Sequence, residues 1–98
     1  MEQRDYLIIL YDFYGELLSD DNKGYFEDYY FDNLSLGEIS DNAGISRNAV
    51  HKHIKSCEAK LMFYEEKLRL YDKDKKLRNL LRDINDEEIK NKIQEIFN

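Results

Sequence analysis

Residues that interrupt regular structure are scarce in this sequence of 98 residues. It contains no proline and four glycines, which predicts a nearly uninterrupted helical chain, because these two residue types are the main helix breakers. The single cysteine, Cys57, excludes an intramolecular disulfide framework and is typical of a reducing cytoplasm. We therefore expect one cytoplasmic domain, or one domain with a helical extension.

Long apolar runs and targeting signals are also missing. The sequence has no stretch of about 18 apolar residues, the length that a membrane-spanning helix needs, so no membrane span is expected. Residues 1–5 lack the basic-then-apolar form of a signal peptide, so we expect no secretion signal.

The net charge is −6, and the charged residues are distributed unevenly along the chain. Residues 1–44 hold 11 acids and 2 bases, a formal charge of −9, whereas residues 45–98 hold 10 acids and 13 bases, a formal charge of +3. A net-acidic domain is a poor non-specific DNA binder, because that affinity comes from neutralising phosphates. Any nucleic acid would therefore be met by the second half of the chain, with the first half turned away.

Residues 35–54 have the pattern of two short helices joined by a glycine turn. Ser35 stands three residues before Glu38, which is the spacing of a capping box. Gly44 is placed to end the first helix, and Ser46 is placed to cap the second. The apolar residues that would face each other across the pair are Leu36, Ile39, Ala43, Val50 and Ile54. This pattern predicts a helix-turn-helix.

The outer face of the second helix carries the candidate functional residues. At about 100° per residue, Arg47, Asn48, His51 and Lys55 share one arc. With Lys52 they form what we call the recognition face, whose residue types suit base edges and phosphates in a major groove. Arg47 and Asn48 would contact bases or phosphates near the helix start, while Lys52 and Lys55 would bind phosphates. Two other interpretations stay open: a solvated helix face, and two ordinary core helices.

The residues around this motif resemble known bacterial proteins. Residues 29–39 (YYFDNLSLGEI), followed by Gly44-Ile45-Ser46-Arg47, resemble region 4 of bacterial sigma factors. With residues 10–18 (LYDFYGELL) and the later Tyr64-Glu65, the sequence is more closely similar to the YlxM family. These are small helix-turn-helix proteins suggested to act in, or regulate, the signal recognition particle pathway. The resemblance covers roughly residues 6–72 and implies a sigma-region-4-like, all-helical fold with a regulatory or accessory role.

The rest of the chain is also predicted to be helical. Apolar spacing predicts a first helix over residues 4–18, and acids after Ser19 predict a second that runs to about Phe31. From Arg47 to roughly Asp72 we expect one long helix, because apolar residues recur at alternating four- and three-residue steps, as in a coiled coil. These are Val50, Ile54, Cys57, Leu61, Tyr64, Leu68 and Tyr71. Two further amphipathic helices are predicted over 73–84 and 87–97.

We therefore expect an all-α, sigma-region-4-like bundle with a long fourth helix and a C-terminal helical extension. Residues 1–60 would form the helix-turn-helix domain, and residues 61–98 an extension that serves dimerisation. A protruding apolar seam needs a partner, and a two-fold homodimer is the commonest closed arrangement.

Catalysis and cofactor binding are not expected. The sequence has no phosphate-binding glycine loop or nucleophile elbow, and no catalytic residue can be named. His53 and Cys57 are four residues apart, but two ligands are fewer than a structural zinc site uses, so we predict neither metal nor cofactor. Tyr25, Tyr29 and Tyr30 are interpreted as core-edge aromatics; a stacking platform for single-stranded nucleic acid is the alternative.

Two functions remain in competition. The first is a regulator that binds double-stranded DNA through the recognition face. The second is a protein-interaction module whose acidic face docks on signal recognition particle components, as the family resemblance implies. The residues of that acidic face are Asp5, Asp12, Glu16, Asp20, Asp21, Glu27 and Asp28.

Overall fold

The computed structural model describes residues 1–97, which form six α-helices and no strand. The helices are α1 (Gln3–Tyr14), α2 (Asp20–Tyr30), α3 (Leu36–Ala43), α4 (Arg47–Leu68), α5 (Leu70–Leu81) and α6 (Glu87–Phe97). The predicted all-α class is confirmed. Over the same residues, no helix combines the length and the apolar character needed to cross a membrane.

Serine caps begin three of these helices. The Ser19 and Ser46 hydroxyls accept from the backbone N–H groups of Asn22 and Ala49, at 3.3 and 3.1 Å. At α3 the capping box is complete: the Ser35 hydroxyl accepts from the Glu38 N–H at 3.1 Å, and the Glu38 carboxylate accepts from the Ser35 N–H at 3.0 Å. These bonds favour the charged carboxylate and lower the pKa of Glu38. The predicted starts of α2, α3 and α4 are therefore confirmed, whereas α5 begins at Leu70, three residues before its predicted start at Lys73.

The core lies where α1, α2 and α3 surround the first two-thirds of α4. Its most deeply buried side chains are Leu7, Leu10, Tyr14, Phe26, Ile39, Val50, Cys57 and Leu61. The apolar seam of α4 is thus covered as far as Leu61 by helices of the same chain. Ala43, expected on the inner side of α3, is exposed instead, and Ile39 is the buried residue of that helix.

The first helix is shorter than predicted. It ends at Tyr14, and residues Gly15–Leu17 continue as a 3₁₀ turn, so the prediction of one helix over 4–18 is wrong. The Tyr11 ring lies so close to Gly15 that a Cβ there would be only 3.0 Å away. The tighter turn leaves Leu17 56% exposed and places Leu18 in the core at 6%.

The fourth helix is also shorter than predicted, since it ends at Leu68 rather than near Asp72. Arg69 takes a left-handed conformation with φ 55° and ψ 34°, and α5 starts immediately after it. The buried carboxylate of Glu65 accepts from the backbone N–H groups of Tyr71 and Asp72, both at 3.1 Å. We call this change of direction the corner. The first N–H groups of a helix have no partner within that helix, and at the start of α5 the Glu65 carboxylate supplies one. Glu65 therefore stabilises the corner relative to one continuous helix.

Helices α5 and α6 form an arm that projects from the bundle. The molecule measures 55 × 24 × 24 Å, and its radius of gyration is 17.2 Å, against about 13 Å for a compact chain of this length. The Asp86 carboxylate accepts from the N–H groups of Glu88 and Ile89 at 3.0 and 3.3 Å, as expected for the start of α6. The Arg78 guanidinium lies 5.1 Å from the Phe97 ring centroid, so α6 folds back on α5.

Candidate nucleic-acid interface

All five residues of the recognition face are exposed on α4. Arg47 is the first residue of that helix, directly after the Ser46 cap, and Val50 and Ile54 point the opposite way into the core. The polar and apolar arcs that helical periodicity predicted therefore lie on opposite sides of α4 in the structure. Arg47, Asn48, His51, Lys52 and Lys55 are brought together along about two turns at the N-terminal end of α4, the end that meets bases in helix-turn-helix modules.

Arg47 lies at the junction of α3 and α4. Its guanidinium packs against the backbone of Gly37, in the first turn of α3. Within residues 1–97 no carboxylate lies within 4.0 Å of this guanidinium. Its donors are therefore not occupied by an ion pair of the described chain.

Lys55, at the other end of the recognition face, is engaged with the protein itself. Its Nζ lies 3.3 Å from the Glu58 carboxylate, and the other oxygen of Glu58 accepts from the Tyr30 hydroxyl at 2.5 Å. The Lys55 side chain is 62% exposed, so this pair is a weak surface interaction that a phosphate can replace.

Acidic residues border the positive charge on both sides. Asp21 lines a shallow cleft together with Lys52 and His53, and Glu58 faces Lys55. The positive charges of Lys52 and Lys55 therefore each have an acidic neighbour. A surface of this kind gives little non-specific affinity, since that affinity grows with the number of phosphates neutralised.

His53 and Cys57 are occupied within the protein. The His53 Nδ1 lies 2.9 Å from the Asn22 side-chain oxygen, and the Tyr25 ring packs on the imidazole with centroids 5.0 Å apart. The Cys57 thiol donates to the Asn22 carbonyl at 3.3 Å, and burial raises its pKa to about 11. A protonated thiol is a poor metal ligand. Among residues 1–97, no three His, Cys, Asp or Glu side chains form a group suited to a metal ion.

The tyrosines of α2 pack as the edge of the core. Tyr30 is buried against Phe26 with ring centroids 4.4 Å apart, and Tyr29 meets Tyr30 edge-on at 5.2 Å. Burial and the hydrogen bond to Glu58 both raise the pKa of Tyr30. These rings are committed to contacts within the protein, which favours the core-edge interpretation over a stacking platform.

Arg4 is a basic residue near the recognition face that the sequence did not single out. Its guanidinium donates to the Tyr30 carbonyl at 2.7 Å and to the Asn33 side chain at 3.0 Å, and with Lys55 it lines one groove. No local pattern links Arg4 to α4, because the two are joined only by the packing of α1 against α2 and α4. Arg4 is nevertheless one of only two basic residues among residues 1–44, and this rarity is the signal that could have drawn attention to it.

Two capped helices that cross at a left-handed glycine, with an exposed polar face on the second, define a helix-turn-helix protein. The chain belongs to the family described as "Putative helix-turn-helix protein, YlxM / p13 like", whose model matches residues 1–98. The resemblance to the YlxM family is thereby confirmed.

Relatives in several bacteria agree with this assignment. The chain is 47% identical over 75 residues to a UPF0122 protein of Shouchella clausii, a match that covers 76% of this chain and 69% of the relative. It is 45% identical over 82 residues to a UPF0122 protein of Bacillus pumilus, covering 84% and 74%. It is 53% identical over 64 residues to a UPF0122 protein of Oceanobacillus iheyensis, covering 65% and 61%.

Proposed function

We propose that this protein is a non-enzymatic regulator that binds double-stranded DNA through the recognition face. The observation that carries the proposal is the exposure of all five polar residues at the start of α4, with the Arg47 guanidinium free of carboxylates in the described chain. Arg47 and Asn48 would contact bases or phosphates, and His51 would lie between them and the phosphate contacts of Lys52 and Lys55. The proposal assigns no cofactor, metal or catalytic residue.

The test starts from a random pool of duplex DNA, from which the full chain selects its binding site. Affinity for the enriched duplex is then measured by fluorescence anisotropy across a salt series. We expect Arg47→Ala with Lys55→Ala to weaken binding by roughly tenfold or more, and Lys55→Ala alone to lower the salt slope by about 1. Lys60→Ala is the matched control, because Lys60 is an exposed lysine of α4 outside the recognition face.

Two results would refute this assignment. One is a selection without enrichment of any sequence. The other is binding by the double variant that equals wild type, since the bound DNA would then lie on another surface.

A second function rests on the charge of α1 and α2. Six of the seven residues of the acidic face are exposed, and Asp28 is half-buried. This surface suits a basic partner, and the pathway suggested for the YlxM family makes the signal recognition particle the partner to test. We include this function as the alternative: docking on particle components, with DNA left unbound.

Purified particle components and the full chain distinguish the two functions in a pull-down at low salt. Asp5→Asn with Asp12→Asn would weaken docking on a basic partner, whereas Arg47→Ala with Lys55→Ala would leave it unchanged. The opposite ranking would favour the DNA-binding function. No complex at low salt would end the docking hypothesis.

The proposal extends to assembly and location. Residues 61–98 would serve as the dimerisation segment of a homodimer, beside the helix-turn-helix domain of residues 1–60. In such a dimer two recognition faces would read half-sites about one helical turn apart. The protein would act in the cytoplasm, where a buried free thiol such as Cys57 stays reduced.

A further inference from the structure

We propose that Gly37 is a positioning residue for Arg47, an inference that deepens the proposed DNA-binding function. A Cβ built on Gly37 would lie 2.8 Å from Nη2, 3.0 Å from Cζ and 3.1 Å from Nε of Arg47. Contacts under 3.0 Å do not occur between real Cβ atoms and their neighbours, so any side chain at position 37 displaces the guanidinium. The Arg47 guanidinium thus occupies the space that a side chain at position 37 would fill, and we call this space the arginine seat.

The backbone does not explain a glycine at this position. Gly37 is the second residue of α3, and the one glycine with positive φ among residues 1–97 is Gly44. In a helix, alanine is the more favourable residue, because glycine loses more conformational freedom on folding. The contact with Arg47 is the feature that a side chain at position 37 would disturb.

The seat gives the guanidinium a defined direction before any ligand binds. Arg47 starts α4, and Gly37 lies in the first turn of α3, so the side chain bridges the two helices of the motif at their crossing. The Nε, Cζ and Nη2 atoms of the guanidinium lie beside Gly37 on α3, and no carboxylate of the described residues lies within 4.0 Å of the group, so its donors can meet a phosphate oxygen or the acceptor edge of guanine. A side chain that is ordered in advance loses less conformational freedom on binding.

Affinity for the selected duplex tests the seat. We expect Gly37→Ala to weaken binding by roughly 2- to 10-fold, the range that corresponds to the ordering of one long side chain. Gly24→Ala is the matched control and should leave affinity unchanged, because a Cβ on Gly24 meets nothing within 4 Å. In an Arg47→Lys background, Gly37→Ala should have no further effect, since the lysine has no planar group to seat. An equal loss in both backgrounds would overturn the inference.

A measurement on the DNA-free protein separates this inference from the proposed function. The ¹H–¹⁵N nuclear Overhauser effect at Arg47 Nε, assigned through its loss in Arg47→Lys, reports how ordered the guanidinium is. We expect an ordered value in wild type and in Gly24→Ala, and a marked drop in Gly37→Ala. If no DNA is bound but this drop is seen, the proposed function fails and the seat remains. If Gly37→Ala leaves the signal unchanged, the seat is refuted, whatever the DNA result.

Discussion

Tyr14 joins the first helix to the corner through a single hydroxyl group. The side chain is fully buried, and its hydroxyl donates to the Glu65 carboxylate at 2.6 Å while it accepts from the Leu70 N–H at 3.0 Å. Burial and the bond to Glu65 raise the pKa of Tyr14 to about 12, although the Leu70 N–H opposes them. A tyrosine whose ring fills the core therefore also forms a buried polar link.

Replacing this hydroxyl is expected to destabilise the fold. Tyr14→Phe leaves the Leu70 N–H and part of the Glu65 carboxylate without partners, which costs about 1–3 kcal/mol of unfolding free energy. Urea unfolding at pH 7 measures the loss. Tyr64→Phe is the control, because Tyr64 packs on Tyr14 with centroids 5.9 Å apart but is only half-buried. Equal stability of Tyr14→Phe and wild type would contradict this role.

The raised pKa also predicts a dependence on alkaline pH. A phenol whose pKa is higher in the folded state stabilises the fold while it is protonated, so its contribution is complete below about pH 10 and declines as the pH rises toward 12. Tyr14→Phe should therefore flatten the fall in unfolding free energy between pH 10 and 12. The raised pKa values of Cys57, Tyr6, Tyr11 and Tyr30 add declines of their own, so the quantity compared is the difference in slope between Tyr14→Phe and wild type, measured with and without Cys57→Ser. A slope unaffected by Tyr14→Phe would exclude the assignment.

At the scale of elements, features that depend on residues close in sequence were predictable, and features that depend on residues far apart in sequence were not. The capping box joins Ser35 to Glu38, three residues apart, and the sequence predicted it. The corner depends on Glu65 and Tyr14, which are 51 residues apart, and the continued apolar spacing through Tyr71 favoured a straight helix instead. The recognition face followed from helical periodicity alone, whereas the arginine seat depends on how α3 crosses α4 and left no local signal.

The turn of the helix-turn-helix offers a test at this scale. Gly44 has φ 70° and ψ 29°, and a Cβ there would meet nothing within 4 Å, so the cost of a side chain comes from the backbone alone. We expect Gly44→Ala to lower the unfolding free energy by about 1–2 kcal/mol. Gly44→Asn should cost less, because asparagine tolerates the left-handed region.

Gly24→Ala serves as the control for Gly44, since it lies inside α2 and should gain up to about 1 kcal/mol. Chemical unfolding of the three variants gives the comparison. Gly44→Ala at or above wild-type stability would mean that the turn adopts another conformation.

At the scale of the whole molecule, most of the exposed large apolar side chains of the described residues lie on the arm and on the last turns of α4. Phe63, Leu77 and Leu80 are 53%, 42% and 61% exposed, and α6 buries none of its residues. Exposed apolar side chains in such number are typical of an interaction site. These exposed side chains support the proposal, made first from the apolar seam of the long helix, that residues 61–98 serve dimerisation.

Sedimentation equilibrium is expected to show a dimer that Leu77→Asp with Leu80→Asp converts to a monomer, because two buried carboxylates would oppose the interface. Leu17→Asp is the control, since Leu17 is a leucine of comparable exposure, 56%, on the bundle rather than the arm. A wild-type chain that sediments as a monomer would contradict the proposed homodimer.

The corner makes the two ends of the chain depend on each other. The arm's first turn relies on Leu70 and Tyr71 N–H groups that are satisfied by Tyr14 and by the carboxylate that Tyr14 orients. A deletion in the amino-terminal helix that removes Tyr14 would therefore also remove hydrogen bonds that hold the first turn of the carboxy-terminal arm, although the sequence of the arm is unchanged. Truncation mapping would then attribute to the first helix a loss of the proposed dimerisation that arises in the arm.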